Sequence, residues 1–140
     1  MPNALFENYR NLIGGAGTHT LPNLASDNIK IHLIDTSGNP IYLDTQIDEA
    51  DIVDASITAT SGNITATFGS IGVGVFHHSD VTLLNVDGDT SDELVYWQDT
   101  GTDTTSPLIC RFDTFSSGMP VTPNTGNIDI QPSGSGVFVI

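Results

Sequence analysis

The chain has 140 residues, the usual length of one domain, and can bury roughly 70% of the surface that it exposes when unfolded. Its three Lys and Arg residues against seventeen Asp and Glu give a formal net charge of −14, which argues against binding to nucleic acid or to an anionic membrane. Hydrophobic residues make up 38% of the chain and charged residues only 14%, so a folded protein is expected rather than a disordered acidic one.

An amphipathic helix is predicted near the N-terminus, ahead of Gly14-Gly15. Its apolar positions recur at helical spacing and are Leu5, Phe6, Tyr9, Leu12 and Ile13. A helix of about eleven residues is marginal by itself in water, so this stripe must dock on something. It packs either on its own domain or, as an arm, on a neighbouring subunit. Residues 1–27 are therefore predicted to be a helix or arm followed by a Gly-rich linker.

From residue 28 onward the apolar residues recur with the period of two that β-strands show. The predicted strands are 28–36, 50–60, 64–68, 81–86, 93–98, 107–112, 127–131 and 136–140, with a further apolar segment at 41–45. A hairpin turn is expected at Ser61-Gly62-Asn63. Many short strands separated by turn-rich loops predict an all-β fold, a single-domain β-sandwich or jelly-roll-like barrel over residues 28–140.

The densest group of acidic residues lies between two predicted strands. Asp87, Asp89, Asp92 and Glu93 have a spacing that could gather oxygens around Ca²⁺. The likeness to an EF-hand loop fails, because Asp92 stands where that loop needs Gly and no Glu occupies its twelfth position. A solvated acidic turn is the favoured interpretation, and a weak Ca²⁺ site is the alternative.

The other reactive side chains are isolated in the sequence. His77 and His78 are neighbours, so on a strand they would face opposite sides and would not suit one metal ion. Cys110 is the single cysteine and occupies a strand position, which favours a buried, inert thiol over a nucleophile. No zinc site, other metal site or cofactor is expected.

Two adjacent aromatic residues are candidates for a binding surface. Tyr96 and Trp97 are adjacent on a predicted strand and point to opposite faces. Either both belong to the core, or one of them contributes to a sugar-binding or protein-binding patch.

No catalytic signature is present in the sequence. The GxSxG, P-loop, HExxH and CxxC patterns are all missing, and a pair of carboxylates at glycosidase spacing could arise by chance among seventeen acids. The protein is therefore predicted not to be an enzyme. Neither a signal peptide nor a membrane span is recognised, so synthesis in the cytosol is expected.

The second half of the chain resembles a family of small virion proteins of tailed bacteriophages, encoded among head genes. The matching elements are Gln98-Asp99-Thr100-Gly101, Asp113-Thr114 and the segment 118–124, which reads GMPVTPN. The first residues, MPNALFENYR, and the strand IKIHLIDT also look like the beginning of this family. The resemblance is strongest over residues 88–130.

This resemblance implies a head decoration, or cement, protein that binds the outer capsid surface and bridges capsomers. The implied partner is the major capsid protein, the implied assembly is a homotrimer, and the implied location is the outside of the virion, after synthesis in the host cytoplasm. The candidate capsid or subunit contacts are Leu5, Phe6, Tyr9, Met119, Pro120 and Val121. The alternative function is a tail or head-fibre module that recognises host-surface glycans.

Overall fold

The computed structural model describes residues 4–37, 45–68 and 72–139. In this part of the chain a single α-helix, α1 (Glu7–Ile13), accompanies ten β-strands. The strands are β1 (Ala4–Leu5), β2 (Ile29–Ile34), β3 (Ile57–Thr60), β4 (Ala66–Phe68), β5 (Val75–His78), β6 (Val81–Leu83), β7 (Glu93–Gln98), β8 (Leu108–Phe112), β9 (Ile128–Ile130) and β10 (Phe138–Val139). Short 3₁₀ helices span Glu49–Asp51, Asp54–Ser56 and Asp103–Thr105. The predicted all-β fold is confirmed.

The strands form antiparallel sheets. The main sheet has the order β1-β8-β7-β2-β3, a second sheet has the order β10-β5-β4, and β6 pairs with β9. At the centre of the main sheet, β2 and β7 pair over their full length, from Ile29 opposite Gln98 to Ile34 opposite Glu93. These two strands combine β-branched and aromatic residues, which favour a pleated and buried surface.

One face of the main sheet packs against the second sheet, which gives the fold its sandwich-like core. The Phe76 ring on β5 lies 6.3 Å from the Tyr96 ring on β7 and 5.0 Å from the Phe138 ring on β10. The Tyr9 ring of α1 lies 6.3 Å from the Phe138 ring at a steep angle, an edge-to-face arrangement that aromatic pairs prefer. Strands and helix therefore share one hydrophobic core.

The opposite face of the main sheet is covered by residues 45–56. The amide of Leu108 donates to the Ile47 carbonyl at 3.1 Å, and the amide of Glu49 donates to the Ser106 carbonyl at 2.9 Å. A capping box between Asp48 and Asp51 stabilises the N-terminus of the 3₁₀ helix Glu49–Asp51 in this segment. Both faces of the central strands are consequently shielded from water.

The N-terminal segment docks on its own domain. Leu5 pairs with Cys110 as part of the main sheet, and the amide of Phe6 donates to the Ile109 carbonyl at 3.1 Å. Phe6 and Tyr9 are 0% and 1% exposed. They are core residues in this fold rather than surface contacts, because strand β8 and the second sheet already cover them. The helix ends at Ile13 and Gly14 caps it, as the Gly14-Gly15 signal predicts.

Two details of the strand prediction are wrong, and β1 and β5 are not among the predicted strands. The predicted strand 50–60 is strand only over 57–60, because the acidic residues before it form 3₁₀ turns. The hairpin between 50–60 and 64–68 does not form, since β3 pairs with β2 whereas β4 pairs with β5. Residues 61–64 instead follow β2, through bonds from the Ser61 and Ile64 amides to the Ile31 and Ile29 carbonyls, and then cross to the second sheet. The predicted segment 41–45 falls outside the described residues, apart from Thr45.

Candidate functional site

The adjacent aromatic residues of β7 are both buried. The Tyr96 hydroxyl lies 2.8 Å from Nε2 of His78, and the Trp97 ring stacks on His32 with ring centroids 4.7 Å apart. Their exposed fractions are 3% and 5%. Because both side chains are almost fully buried, the interpretation of both as core residues is confirmed.

The acidic turn does not gather its carboxylates. Asp87 and Asp89 are exposed, whereas Asp92 accepts a hydrogen bond from the Thr36 hydroxyl at 2.6 Å. Glu93 is buried and faces Arg111. No group of three or more His, Cys, Asp or Glu side chains in the described ranges is placed to hold a metal ion.

The basic side chains are engaged by acceptors of this chain. The Lys30 ammonium lies 2.6 Å from the Asp99 carboxylate, and Arg111 reaches Glu93 at 2.9 Å and Asp113 at 3.3 Å. Arg10 donates to the Leu5 carbonyl. The positive charges of this protein are thus used to hold its own strands together.

A buried polar pair fixes the covering segment to the main sheet. His32 lies between the Thr60 hydroxyl, 2.7 Å from Nδ1, and the Glu49 carboxylate, 3.0 Å from Nε2. Burial and the nearby Asp103 and Asp54 carboxylates raise the pKa of Glu49 to about 7. Burial, with Lys30 nearby, lowers the pKa of His32 to about 4, so this histidine is neutral around pH 7.

Cys110 and His78 also lie inside the fold. Cys110 is 1% exposed and burial raises the pKa of its thiol, so the thiolate needed for nucleophilic chemistry is disfavoured. Burial likewise lowers the pKa of His78, whose Nδ1 lies 2.7 Å from the Ser79 carbonyl. The described fold gives both side chains a packing role.

The loop between β7 and β8, residues 99–106, is organised by its own side chains and is called the β7–β8 loop below. The Thr100 hydroxyl lies 2.7 Å from the Thr105 hydroxyl and 3.0 Å from the Ser106 hydroxyl, while Ser106 also donates to the Thr102 carbonyl at 2.8 Å. The loop thus has a defined shape, although residues 100–105 are exposed to water.

The start of the β7–β8 loop is anchored to the sheet. One Asp99 carboxylate oxygen accepts the amide of Gly101 at 2.8 Å and the other accepts the Lys30 ammonium, which together hold the pKa of Asp99 below its usual range. Gly101 has φ +88°, a conformation that suits glycine, so QDTG reads as a turn motif in this fold. The family-like residues 98–101 therefore act first as a structural brace.

The second family-like segment follows β8 at the opposite end of the same strand pair. Val121 exchanges two backbone hydrogen bonds of 2.8 Å with Ser91. Pro120 is exposed, and Met119 and Val121 are half-buried. The structure therefore leaves three of the six candidate contacts at or near the surface together, and places Leu5, Phe6 and Tyr9 with the main sheet and core.

A cleft of about 700 Å³ opens beside Met119 and is called the Met119 cleft below. Its apolar wall comes from the main sheet, the segment after β8 and the chain around β9, and includes Leu33, Tyr96, Phe112, Phe115, Ile130 and Val137. Its polar wall includes Thr114, Ser116, Ser117, Gln131 and Ser133. Clefts of this size and mixed lining are typical of binding sites.

Sequence reasoning identified Met119 but missed the rest of this cleft. The wall combines residues near positions 33, 94–96, 112–119 and 128–137, which only the pairing of strands brings together. The one available signal was the spacing of Phe112, Phe115 and Met119, which are the apolar residues of the otherwise polar segment 112–119.

Among the described residues, no helix has the length and apolar character to cross a bilayer. No protein-family model matches the chain, and no curated protein is similar enough to be counted as a relative.

Proposed function

We propose that this protein is a structural component of a bacteriophage virion that binds the outer surface of the capsid and stabilises it by bridging capsomers. Its partner is the major capsid protein, its assembly is a homotrimer, and it is synthesised in the host cytoplasm. The proposal starts from the resemblance of residues 88–130 to the head decoration proteins. The arrangement of the fold supports a binding role in three ways.

The observation that carries the proposal is the internal bracing of the β7–β8 loop. Four hydroxyl and carboxylate side chains, Asp99, Thr100, Thr105 and Ser106, shape the loop before any partner arrives. A preformed loop loses little conformational entropy on binding, so more of the contact energy appears as affinity. Its exposed hydroxyls can hydrogen-bond a partner without the cost of burying charge.

The charge distribution suits the outside of a DNA-filled shell. The net charge is −14, and the Lys30 and Arg111 side chains are engaged by carboxylates of the chain itself. Such a surface repels packaged DNA and has the sign that keeps copies apart until specific contacts form.

The buried ionisable groups support a structural role rather than a catalytic one. Glu93 on β7 pairs with Arg111 on β8, and Glu49 of the first 3₁₀ helix pairs with His32 on β2. Each pair therefore joins two elements of the fold. Clamping needs no chemistry, because a trimer that touches several capsomers opposes their separation with every contact. Several weak contacts then act together as a persistent clamp.

Mixing the purified protein with capsids that lack it tests the proposal. We expect saturable cosedimentation, and cryo-electron microscopy should show copies at symmetric positions, as trimers over local three-fold axes. Occupancy at a single vertex would assign the protein to the tail or connector. Absence of binding, combined with a positive glycan array, would replace decoration by host recognition.

Matched threonine variants test the role of the β7–β8 loop. Thr100→Val removes the hydroxyl that links Thr105 and Ser106 and keeps the shape of the side chain. Thr20→Val makes the same change at an exposed position outside the loop. Capsid affinity should fall about tenfold for Thr100→Val, the size of one lost hydrogen bond, and change little for Thr20→Val. Equal affinities of the two variants would show that the β7–β8 loop does not contribute to capsid binding.

A further inference from the structure

The Met119 cleft has the features of a peptide-binding groove. Its volume of about 700 Å³ is open to solvent on one side and its apolar wall contains the half-buried rings of Phe112 and Phe115. Half-buried aromatic side chains beside an open cleft are the usual anchoring points of a protein interface.

The polar wall of the cleft suits the main chain of an extended segment. The hydroxyls of Ser116, Ser117 and Ser133 and the amide of Gln131 can each donate and accept hydrogen bonds. An extended peptide presents alternating N–H and C=O groups, which need such partners when the segment is covered. The cleft therefore offers pockets for side chains and partners for a backbone.

The charge of the protein indicates which charge the bound segment should carry. Asp129 is the one acidic residue that lines the cleft within the described chain, and its carboxylate accepts a hydrogen bond from the Thr82 hydroxyl at 2.7 Å. The chain carries only three Lys and Arg residues, and each contacts an acceptor of the chain itself. The net charge of −14 repels an acidic partner and attracts Lys or Arg on the partner.

We propose that the Met119 cleft binds an extended segment of the capsid shell protein that carries apolar anchor residues flanked by Lys or Arg. This inference rests on the proposed function and names the part of the partner that the protein recognises. It also gives a role to the half-buried Met119 of segment 118–124, which packs against the core and lines the cleft.

A steric pair of variants tests the location. Ser116→Trp places a large ring at the cleft wall, and Ser26→Trp makes the same change at an exposed position outside the cleft. We expect at least a tenfold loss of capsid affinity for Ser116→Trp and less than a twofold change for Ser26→Trp, in cosedimentation with capsids. Thermal unfolding of both variants checks that each is folded.

A charge pair at one position tests the chemistry. Ser117→Lys and Ser117→Asp differ by two charges at the same exposed site. We expect Ser117→Lys to bind capsids at least fivefold more weakly than Ser117→Asp at low salt, with the difference shrinking at high salt. If the two variants bind capsids equally, or if Ser117→Lys binds more tightly, the proposal that the bound segment carries Lys or Arg is overturned.

The outcomes separate the two proposals. If wild-type protein binds capsids and Ser116→Trp binds equally well, the cleft inference is overturned while decoration stands. If wild-type protein fails to bind capsids, both proposals fall. If Ser116→Trp abolishes binding to a glycan on an array rather than to capsids, the cleft is a sugar site and the segment is the wrong occupant.

Discussion

Arg111 lies in the interior of the protein with its Nη1 atom 2.9 Å from Oε2 of Glu93, and the two side chains are only 2% and 4% exposed. The pair links β8 to β7, at the edge of the face that residues 45–56 cover. A charge taken out of water needs its partner, so removing one member leaves the other buried and uncompensated.

Arg111→Met is therefore expected to lower the free energy of unfolding by about 3–5 kcal/mol, measured by urea denaturation. Lys30→Met is the matched control, because the Lys30–Asp99 pair keeps about a quarter of each side chain in water. The control should cost about 1 kcal/mol or less. Similar losses for the two variants would show that the Arg111–Glu93 pair adds nothing beyond a surface ion pair.

The Glu49–His32 pair makes stability depend on pH in two opposite ways. The pKa of Glu49 is raised from 4.5 to about 7, so the folded protein holds a proton that the unfolded chain lacks, and this contribution to stability is lost as pH rises through 7. The pKa of His32 is lowered from 6.5 to about 4, so its contribution is present above pH 6.5 and is lost as pH falls through 4.

Glu49→Gln removes the pH dependence that comes from Glu49 and leaves the pH dependence that comes from His32. The free energy of unfolding of this variant, relative to that of the wild type, is expected to rise by about 2–3 kcal/mol between pH 5 and pH 8. Urea denaturation at half-unit pH intervals measures the difference, in which the other titrating groups cancel. A difference that does not change with pH would mean that Glu49 titrates at its ordinary value.

The N-terminal segment is expected to be necessary for folding. Phe6→Ala empties a site that is 0% exposed and should cost about 3–5 kcal/mol, whereas Ile13→Ala, at a position 38% exposed, should cost about 1 kcal/mol or less. Deletion of residues 1–13 should then leave a largely unfolded chain in circular dichroism. A folded, monomeric truncation that no longer assembles would instead identify this segment as an arm for a neighbouring subunit.

Gly17 is expected to be irreplaceable because the chain folds tightly over the end of α1. A Cβ atom at Gly17 would stand 2.5 Å from Cγ of Leu12 and 2.8 Å from the Asn8 carbonyl oxygen. Gly17→Ala should destabilise by about 1–3 kcal/mol. Gly62, where nothing lies within 4 Å of such an atom, provides the control, and Gly62→Ala should change stability by less than about 1 kcal/mol. Thermal denaturation compares them, and equal midpoints would show that the helix end can shift.

Local pattern was enough to predict most of the elements. The period of two located β2, β7 and β8 to within a residue or two, because these strands combine alternating apolar positions with flanking turns. The helical spacing of Phe6, Tyr9 and Leu12 located α1. Local pattern failed at residues 50–56, where two 3₁₀ helices form in a segment that also carries strand-forming residues. The Asp51 carboxylate accepts backbone amides at the first helix, and the Ser56 hydroxyl donates to the Val53 carbonyl at the second.

Which strands pair, and which residues meet, was decided only in the tertiary structure. The residues alone determined an acidic, folded, all-β protein with one short helix, since charge and period are properties of neighbours in the chain. Placing Phe6 in the core, Glu93 against Arg111 and Met119 beside residues 128–137 required contacts between distant segments. Such contacts depend on which strands pair and on how the sheets pack, and no local periodicity encodes either.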